Sequence, residues 1–348
     1  MNRKFDFVLL KIFIVLSLIF YTVSAFAGEK ATKAECIDMT NKVVQMIEKE
    51  GLDAVIPKLN DKKGPFVWKD AYVFLLDTKE ARLLAHPYLP KRMHGIRYME
   101  RKDINGKEFF REFLEKANSE GKGWVDYVYA DPHGRAREKI TYVLKSEKAN
   151  IIASAGIFTD KKLAGPKIDI PDMTLPDIKG KKVALIIGNR GYEDSEFSVP
   201  KKMIEKAGGI TTVFSVAKGK AYGMYGQVTD VSYVLDDVSV PDFDAIVFVG
   251  GSGSGIYHND PKAHKIAQDA VKNDKVLAAI CWAPVTLANA HVIDGKMATV
   301  NPNEKKRFQN GACIYTADRV TVDGKIITAN GPEASVLFGK TIIESLKL

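Results

Sequence analysis

The stretch Lys275-Val276-Leu277-Ala278-Ala279-Ile280-Cys281-Trp282-Ala283-Pro284 decides how the second half of this chain is read. An apolar run of strand length stops at a small, reactive side chain. Pro284 and the apolar-periodic Val285-Thr286-Leu287-Ala288 then read as a helix start. A thiol at such a corner faces the unpaired N–H groups and positive dipole end of a helix. That position is expected to lower the Cys281 pKa and supply thiolate, the nucleophilic form. The competing reading is a buried structural cysteine, since free cysteine is among the most buried residue types.

Strands and helices alternate around that corner. Lys182 to Gly188, Thr211 to Val216 and Ala245 to Val249 read as strands. Ser198 to Ala207, Pro261 to Asn273 and Glu333 to Leu346 read as helices, and Asp323-Gly324 as a hairpin turn between two short strands. Continuous apolar strands alternating with helices imply a parallel sheet covered on both faces. Ligand chemistry in such sheets gathers beyond the strand C-termini, where Glu196, Gly251 and Cys281 all fall.

The N-terminus has a different character. Arg3 and Lys4 precede an apolar stretch, Ile12 to Tyr21, and Ala25-Phe26-Ala27 has the form of a cleavage site. Residues 1–27 are therefore expected to be a secretory signal peptide, directing the chain to a periplasm. The rival, an uncleaved anchor, fits less well because Lys11 interrupts an apolar run that is short for a span. Cleavage removes three cations and one carboxylate, taking the formal charge from +8 to +6. The lysines are scattered and accompany no nucleic-acid motif, so a solvated basic surface is the reading, with neither nucleic acid nor membrane as partner of the mature chain. Cys36, Cys281 and Cys313 make an odd count, leaving at least one thiol free; a Cys36–Cys313 bridge stays open. No histidine–cysteine spacing suggests a metal, and Gly251-Ser252-Gly253-Ser254-Gly255 lacks the Lys-Ser/Thr of a phosphate loop, so no cofactor is expected.

The first half reads as α+β. Met39, Val43, Val44, Met46 and Ile47 give helical spacing from Lys33 to about Glu50, where Gly51 stops it. A second helix is expected from Gly106 to about Gly121 on Phe109, Phe110, Phe113 and Leu114. Ala71 to Asp77, Arg82 to His86, Gly123 to Tyr129 and Lys139 to Leu144 read as strands with one buried face. The ordered set Gly64-Pro65-Phe66-Val67-Trp68, Tyr72-Val73-Phe74, Leu84-Ala85-His86-Pro87, Gly123-Trp124-Val125-Asp126-Tyr127 and Lys139-Ile140-Thr141-Tyr142-Val143 resembles a single Cache domain. The resemblance implies an extracytoplasmic sensor module, PAS-like with an antiparallel sheet, over residues 28–159. It implies a pocket for a small organic anion or amino acid; Trp68, Tyr72, His86, Trp124, Lys139 and Tyr142 supply aromatic walls, hydroxyls and a cation suited to it. The plainer reading makes about half of them core aromatics. Gly165-Pro166, Ile170-Pro171 and Leu175-Pro176 then mark residues 160–180 as an extended linker.

Residues 181–348 resemble the PfpI-like, Parkinson-associated deglycase family of the class I glutamine amidotransferase-like superfamily. The resemblance rests on Gly191-Tyr192-Glu193-Asp194-Ser195-Glu196 with Pro200 following, Phe248-Val249-Gly250-Gly251, Ala278-Ala279-Ile280-Cys281, Asp323-Gly324-Lys325-Ile326-Ile327-Thr328 and Asn330-Gly331-Pro332. It implies a doubly wound, flavodoxin-like parallel sheet with Cys281 as nucleophile at an elbow. Glu196 would be the acid beside it, the backbone N–H groups of Gly251 and Trp282 would form an oxyanion site, and the chain would be a homo-oligomer. Glu193 and Asp194 are read as surface carboxylates of a first helical turn. Hydrolytic members place histidine directly after the cysteine, where this chain has Trp282. The deglycase branch has a histidine where Ala298-Thr299-Val300-Asn301-Pro302 has Asn301. His258 and His291 are read as ordinary surface or loop histidines. Protease chemistry is therefore not expected. Three readings follow: addition of Cys281 to a small reactive carbonyl, or its oxidation as a sensor; a non-catalytic ligand-binding protein; and a degenerate scaffold kept for dimerisation.

Overall fold

The computed structural model describes residues 29–347 apart from 90–93, 132–133, 147 and 310–311, so the expected signal peptide lies outside the described residues. The chain divides into two compact units, one holding the residues up to Tyr127 with Lys139–Thr159, the other Val128–Glu138 with Asp160–Leu348.

In the first unit, a capping box starts helix α1 (Lys33–Glu50). The Thr32 hydroxyl accepts from the Glu35 amide at 3.2 Å, and the Glu35 carboxylate accepts from the Thr32 amide at 2.8 Å. Gly51 ends the helix at φ 88°, a conformation that glycine adopts without strain. The chain re-enters a short helix at once, α2 (Leu52–Leu59), which the sequence pattern did not reveal because Gly51 and Pro57 flank and interrupt it. Strands β1 (Val67–Trp68), β2 (Ala71–Asp77), β3 (Leu83–Ala85), β4 (Lys122–Ala130), β5 (Ala136–Lys145) and β6 (Ile151–Lys162) form one sheet in the order β1-β2-β6-β5-β4, with β3 on β2. β2 is antiparallel to β1, β3 and β6.

Both faces of that sheet are covered, not one as expected. Val73, Leu75, Ile151, Ala153 and Ala155 pack with Cys36, Val43 and Ile47 of α1. On the opposite face Phe113 of α3 (Phe109–Glu120) lies 6.4 Å from Phe74, and Phe109 stacks on Tyr127 at 4.2 Å. Removing such a phenylalanine ring from water contributes about 2–3 kcal/mol.

The second unit is built on a seven-stranded sheet of β7 (Lys182–Ile186), β9 (Ile210–Ser215), β12 (Tyr233–Val234), β13 (Ala245–Phe248), β14 (Val276–Ile280), β17 (Val320–Asp323) and β18 (Ile326–Ala329). Its order is β12-β9-β7-β13-β14-β18-β17, and only β17 runs antiparallel. Every residue of β13 and β14 is buried, which explains their unbroken apolar sequences. Helices α4 (Asp194–Lys206) and α7 (Ser335–Leu346) cover one face, and α5 (Pro261–Lys272) and α6 (Pro284–Asn289) the other. Gly339 allows α7 to cross α4 closely, since a Cβ there would stand 3.1 Å from Pro200 Cα. The flavodoxin-like α/β class and the α+β first domain are as expected. The sequence pattern missed a three-stranded sheet of β8 (Arg190–Tyr192), β10 (Gly219–Gly223) and β11 (Val228–Val231), and the pair β15 (Met297–Ala298) and β16 (Ile314–Tyr315).

After β6 the Pro-spaced segment is not loose: Ile168, Ile170, Met173 and Leu175 pack against the second unit's core. Among the described residues, no helix is long and apolar enough to cross a membrane.

Candidate active site

In-register pairing of β7, β13, β14 and β18 brings the segments that follow them to one end of the sheet. Cys281, directly after β14, has φ 64°, left-handed backbone that costs a non-glycine residue about 1–3 kcal/mol. Its neighbours hold it there: its amide donates to the Ala329 carbonyl at 2.8 Å, and its carbonyl accepts from the Asn301 amide at 2.9 Å. Pro284 then opens α6 as the sequence suggests.

Glu196 lies in the first turn of α4, which begins at Asp194 and so earlier than the Ser198 expected. Glu193 caps that helix. Its carboxylate accepts from the Glu196 amide at 2.6 Å, and its own amide donates to the Gly250 carbonyl at 3.1 Å. Two glycines let these segments touch. A Cβ on Gly250 would collide with Glu196 Oε2, the Ile280 carbonyl and Cys281 Cβ; one on Gly251, at φ 90°, would collide with the Gly191 carbonyl and the Glu193 amide.

The resulting site is dry. Cys281 is 6% exposed, Glu193 3% and Glu196 0%. Neither Glu196 oxygen makes a well-formed hydrogen bond; the Cys281 thiol and the Gly250 amide are the polar groups facing it. Burial, and next the charge of Glu193, hold the Glu196 carboxyl far above the carboxylate range, so it keeps its proton at neutral pH. Burial also raises Glu193, to about 7. The expectation of a lowered Cys281 pKa is not met. Burial, followed by the Glu196 charge, pushes the thiol up, and the opposing Gly251 amide does not compensate. Desolvation outweighs the end of a six-residue helix. Glu193 is likewise corrected from surface carboxylate to buried cap, because its side chain folds back on its own first turn.

Asn301 points Nδ2 at Cys281 Sγ from 3.7 Å, while its Oδ1 accepts from the Asn303 amide. It can donate to sulfur but takes no proton from it. Trp282 is half-buried against the core, and its carbonyl lies 3.0 Å from His258 Nε2. His258 is in a loop but not on the surface: it is 6% exposed, and burial pulls its pKa to about 4. His291 is exposed and pairs with Asp294 at 3.1 Å. Cys36 and Cys313 are free, so no bridge joins them; burial pushes Cys36 up to about 12. Burial, and next the charges of Glu193 and Asp194, raise the hydroxyl pKa of Tyr225, a residue with no motif to single it out. Among the described residues, no group of His, Cys, Asp and Glu could hold a metal ion.

In the first unit the six expected ligand residues fall on two faces of the sheet. Tyr72, His86 and Lys139 come together. Lys139 is 2% exposed, with Nζ 3.4 Å from the Tyr72 hydroxyl and 5.1 Å from the Phe158 ring centroid. His86 lies 4.8 Å from the Tyr72 ring, and its Nδ1 accepts from the Tyr88 and Leu89 amides. Burial, then Lys139, lowers the His86 pKa to about 3, so the ring is neutral. Ser154, opposite Phe74, has a buried hydroxyl without a partner. Trp68 and Trp124 instead pack with the α1-side core, with Tyr142 5.2 Å from Trp124. An open cleft of about 490 Å³, lined by Ile56, Pro57, Asn60, Asp61 and His94, adjoins His86, whose amide donates to Asn60.

Comparison with known proteins agrees with this architecture. Residues 181–345 match the DJ-1/PfpI family, and residues 11–161 match single Cache domain 2. An uncharacterized protein of Methanocaldococcus jannaschii is 34% identical over 174 residues, 49% of this chain and 85% of its own length. The chain belongs to the DJ-1/PfpI family. A Bacillus subtilis member described as a putative cysteine protease is 28% identical over 168 residues, covering 48% of this chain and 99% of that protein. The crystal structure of a ThiJ/PfpI domain protein from Brachyspira murdochii is 30% identical, covers 48% of this chain and 97% of that one, and has a TM-score of 0.47. This DJ-1/PfpI protein thus carries a Cache domain ahead of its α/β domain.

Proposed function

We propose that this protein is exported and that Cys281 adds to small reactive carbonyls such as methylglyoxal, with Glu196 as proton carrier. The observation that supports it is a protonated, fully buried Glu196 carboxyl against a thiol held at a strained elbow. In the addition, sulfur forms a bond to the carbonyl carbon as the C=O π bond breaks. The Glu196 proton goes to the carbonyl oxygen, the thiol proton returns to the Glu196 carboxylate, and a hemithioacetal results. The Gly251 amide, which faces the Cys281 sulfur, is read as the donor that supports the developing oxyanion. Peptide hydrolysis is not proposed, because Trp282 and Asn301 stand where histidine bases are expected. The Cache domain is read as binding a small carboxylate or amino acid through Lys139, the cation of the Tyr72–His86–Lys139 cluster.

Oxidation of Cys281 is a second reading favoured by the same geometry, since a protonated carboxyl and the Gly251 amide can both donate to a sulfinate. Turnover of a panel of small aldehydes, run beside intact mass after mild peroxide, tests both. Carbonyl turnover is expected to vanish in Cys281→Ser and to fall by about 10²-fold in Glu196→Gln. Undiminished turnover by Cys281→Ser would remove the enzymatic reading.

A further inference from the structure

The segment that leads into Glu193 is held by residues from outside the α/β match. Val128–Glu138, the ends of β4 and β5 with the hairpin between them, fall within the Cache match yet belong to the second compact unit. The hairpin is closed on itself. The buried Asp131 carboxylate accepts from the Arg135 amide at 3.0 Å and pairs with its guanidinium at 2.7 Å, and the Gly134 amide donates to the Asp131 carbonyl at 2.8 Å. Two backbone routes run from it toward Glu193. In one, glycines meet face to face. A Cβ on Gly134 would stand 2.5 Å from the Gly191 nitrogen and 2.6 Å from the Arg190 carbonyl carbon, and one on Gly191 would stand 2.9 Å from the Gly134 carbonyl oxygen. In the other, the Ala136 amide donates at 2.7 Å to the carbonyl of Met224, beside Tyr225 in the turn joining β10 to β11, and the Met224 amide donates at 2.8 Å to the Tyr192 carbonyl. Both routes end just before Glu193, whose amide holds the Gly250 carbonyl and whose carboxylate holds the Glu196 amide. Gly250 in turn has no room for a Cβ between Glu196 and Cys281. Every contact from the hairpin to Gly250 is made by backbone, so no side-chain rotamer can absorb a shift.

We propose that Gly134 and Ala136 are positioning residues for the Cys281 site: the hairpin braces residues 190–193 and so sets how Glu196 and Cys281 meet. The proposal rests on Cys281 and Glu196 being the reacting pair. The α/β domain then depends for its working geometry on a part of the chain that the Cache match supplies. Without the brace, residues 190–193 shift against Gly250, the Glu193 cap moves with them, and water reaches a thiol that is otherwise dry.

The test is the rate of Cys281 alkylation by iodoacetamide against pH, read at its own peptide in the full chain and well below each variant's Tm. Gly134→Val drives a side chain into Gly191. Ala136→Pro removes the donor to Met224 and adds no bulk against residues 190–193; it falls at the first residue of a strand, where proline is tolerated. Each is expected to raise the rate near neutral pH about tenfold and to lower the pH midpoint by about one unit, as water enters the site. Gly219→Val is the control for plain loss of stability: it strains the same three-stranded sheet at φ 108°, where a Cβ would meet nothing within 4 Å. Its profile is expected to stay within about twofold of wild type even as its Tm falls. Hairpin variants within about twofold of wild type, or a Gly219→Val profile displaced as far as theirs, would overturn the proposal. A change in only one hairpin variant removes the other residue from the brace. Glu196→Gln in the same assay separates the failures: a profile that it shifts while the hairpin variants do not removes only the brace, and a profile that it leaves untouched removes the reading of the site.

Discussion

Glu193 joins three pieces of the site through one side chain and one amide. Its carboxylate holds the start of α4, its N–H holds the Gly250 carbonyl, and its second oxygen is buried without a partner. Folding raises its pKa from an ordinary 4.5 to about 7, so folding favours its neutral form. The stability this contributes is complete below the unfolded value near 4.5 and is lost as pH rises through about 7. Glu193→Gln keeps an acceptor for the Glu196 amide and never ionises. The variant and wild type should melt together at pH 4, while at pH 8 the variant should be more stable by on the order of 2 kcal/mol. In a unit of this size that is roughly a 5 °C rise in Tm. An equal Tm difference at both pH values would show that Glu193 does not titrate as described. The motif around Glu193 was legible in the sequence. Its burial was not, because an acidic residue near a helix start reads most simply as a solvated favourable charge.

At the level of elements, periodicity carried far. Helix α1 and strands β2 and β14 lie where apolar spacing puts them. The sequence was silent where side chains are small or polar. β6 runs through Ala153, Ser154, Ala155 and Gly156, and β10 through Gly219 and Gly223, residues that give no alternation to read. Face assignment across strands was also beyond it. Tyr72 and Tyr142 look equivalent in sequence, yet Tyr72 shares a face with Lys139 while Tyr142 joins Trp124. The ligand reading therefore narrows to the Lys139 face. Small carboxylates or amino acids should raise Tm by a few degrees at concentrations well above Kd. Lys139→Ala should abolish that shift and Trp124→Ala should keep it; the reverse pattern would move the ligand to the other face.

For the molecule as a whole, the boundary signal in the sequence was composition: Pro-spaced residues between two differently patterned halves. The structure gives that segment work to do. Its apolar positions lie on the second unit's core and its first residues close over the Tyr225 turn. The meeting of Cys281, Glu196 and Gly251 at one end of the sheet was legible, because their spacing is carried by strand ends. The site's resting protonation state was not legible, since that depends on how completely water is shut out. The central claim is that Glu196 controls Cys281. Its most direct test is the rate of Cys281 alkylation against pH in wild type and Glu196→Gln. The account predicts a wild-type midpoint above the ~8.5 of a free thiol, and a lower midpoint in the variant, which has no second acid to ionise beside the thiolate. Superimposable profiles would contradict it.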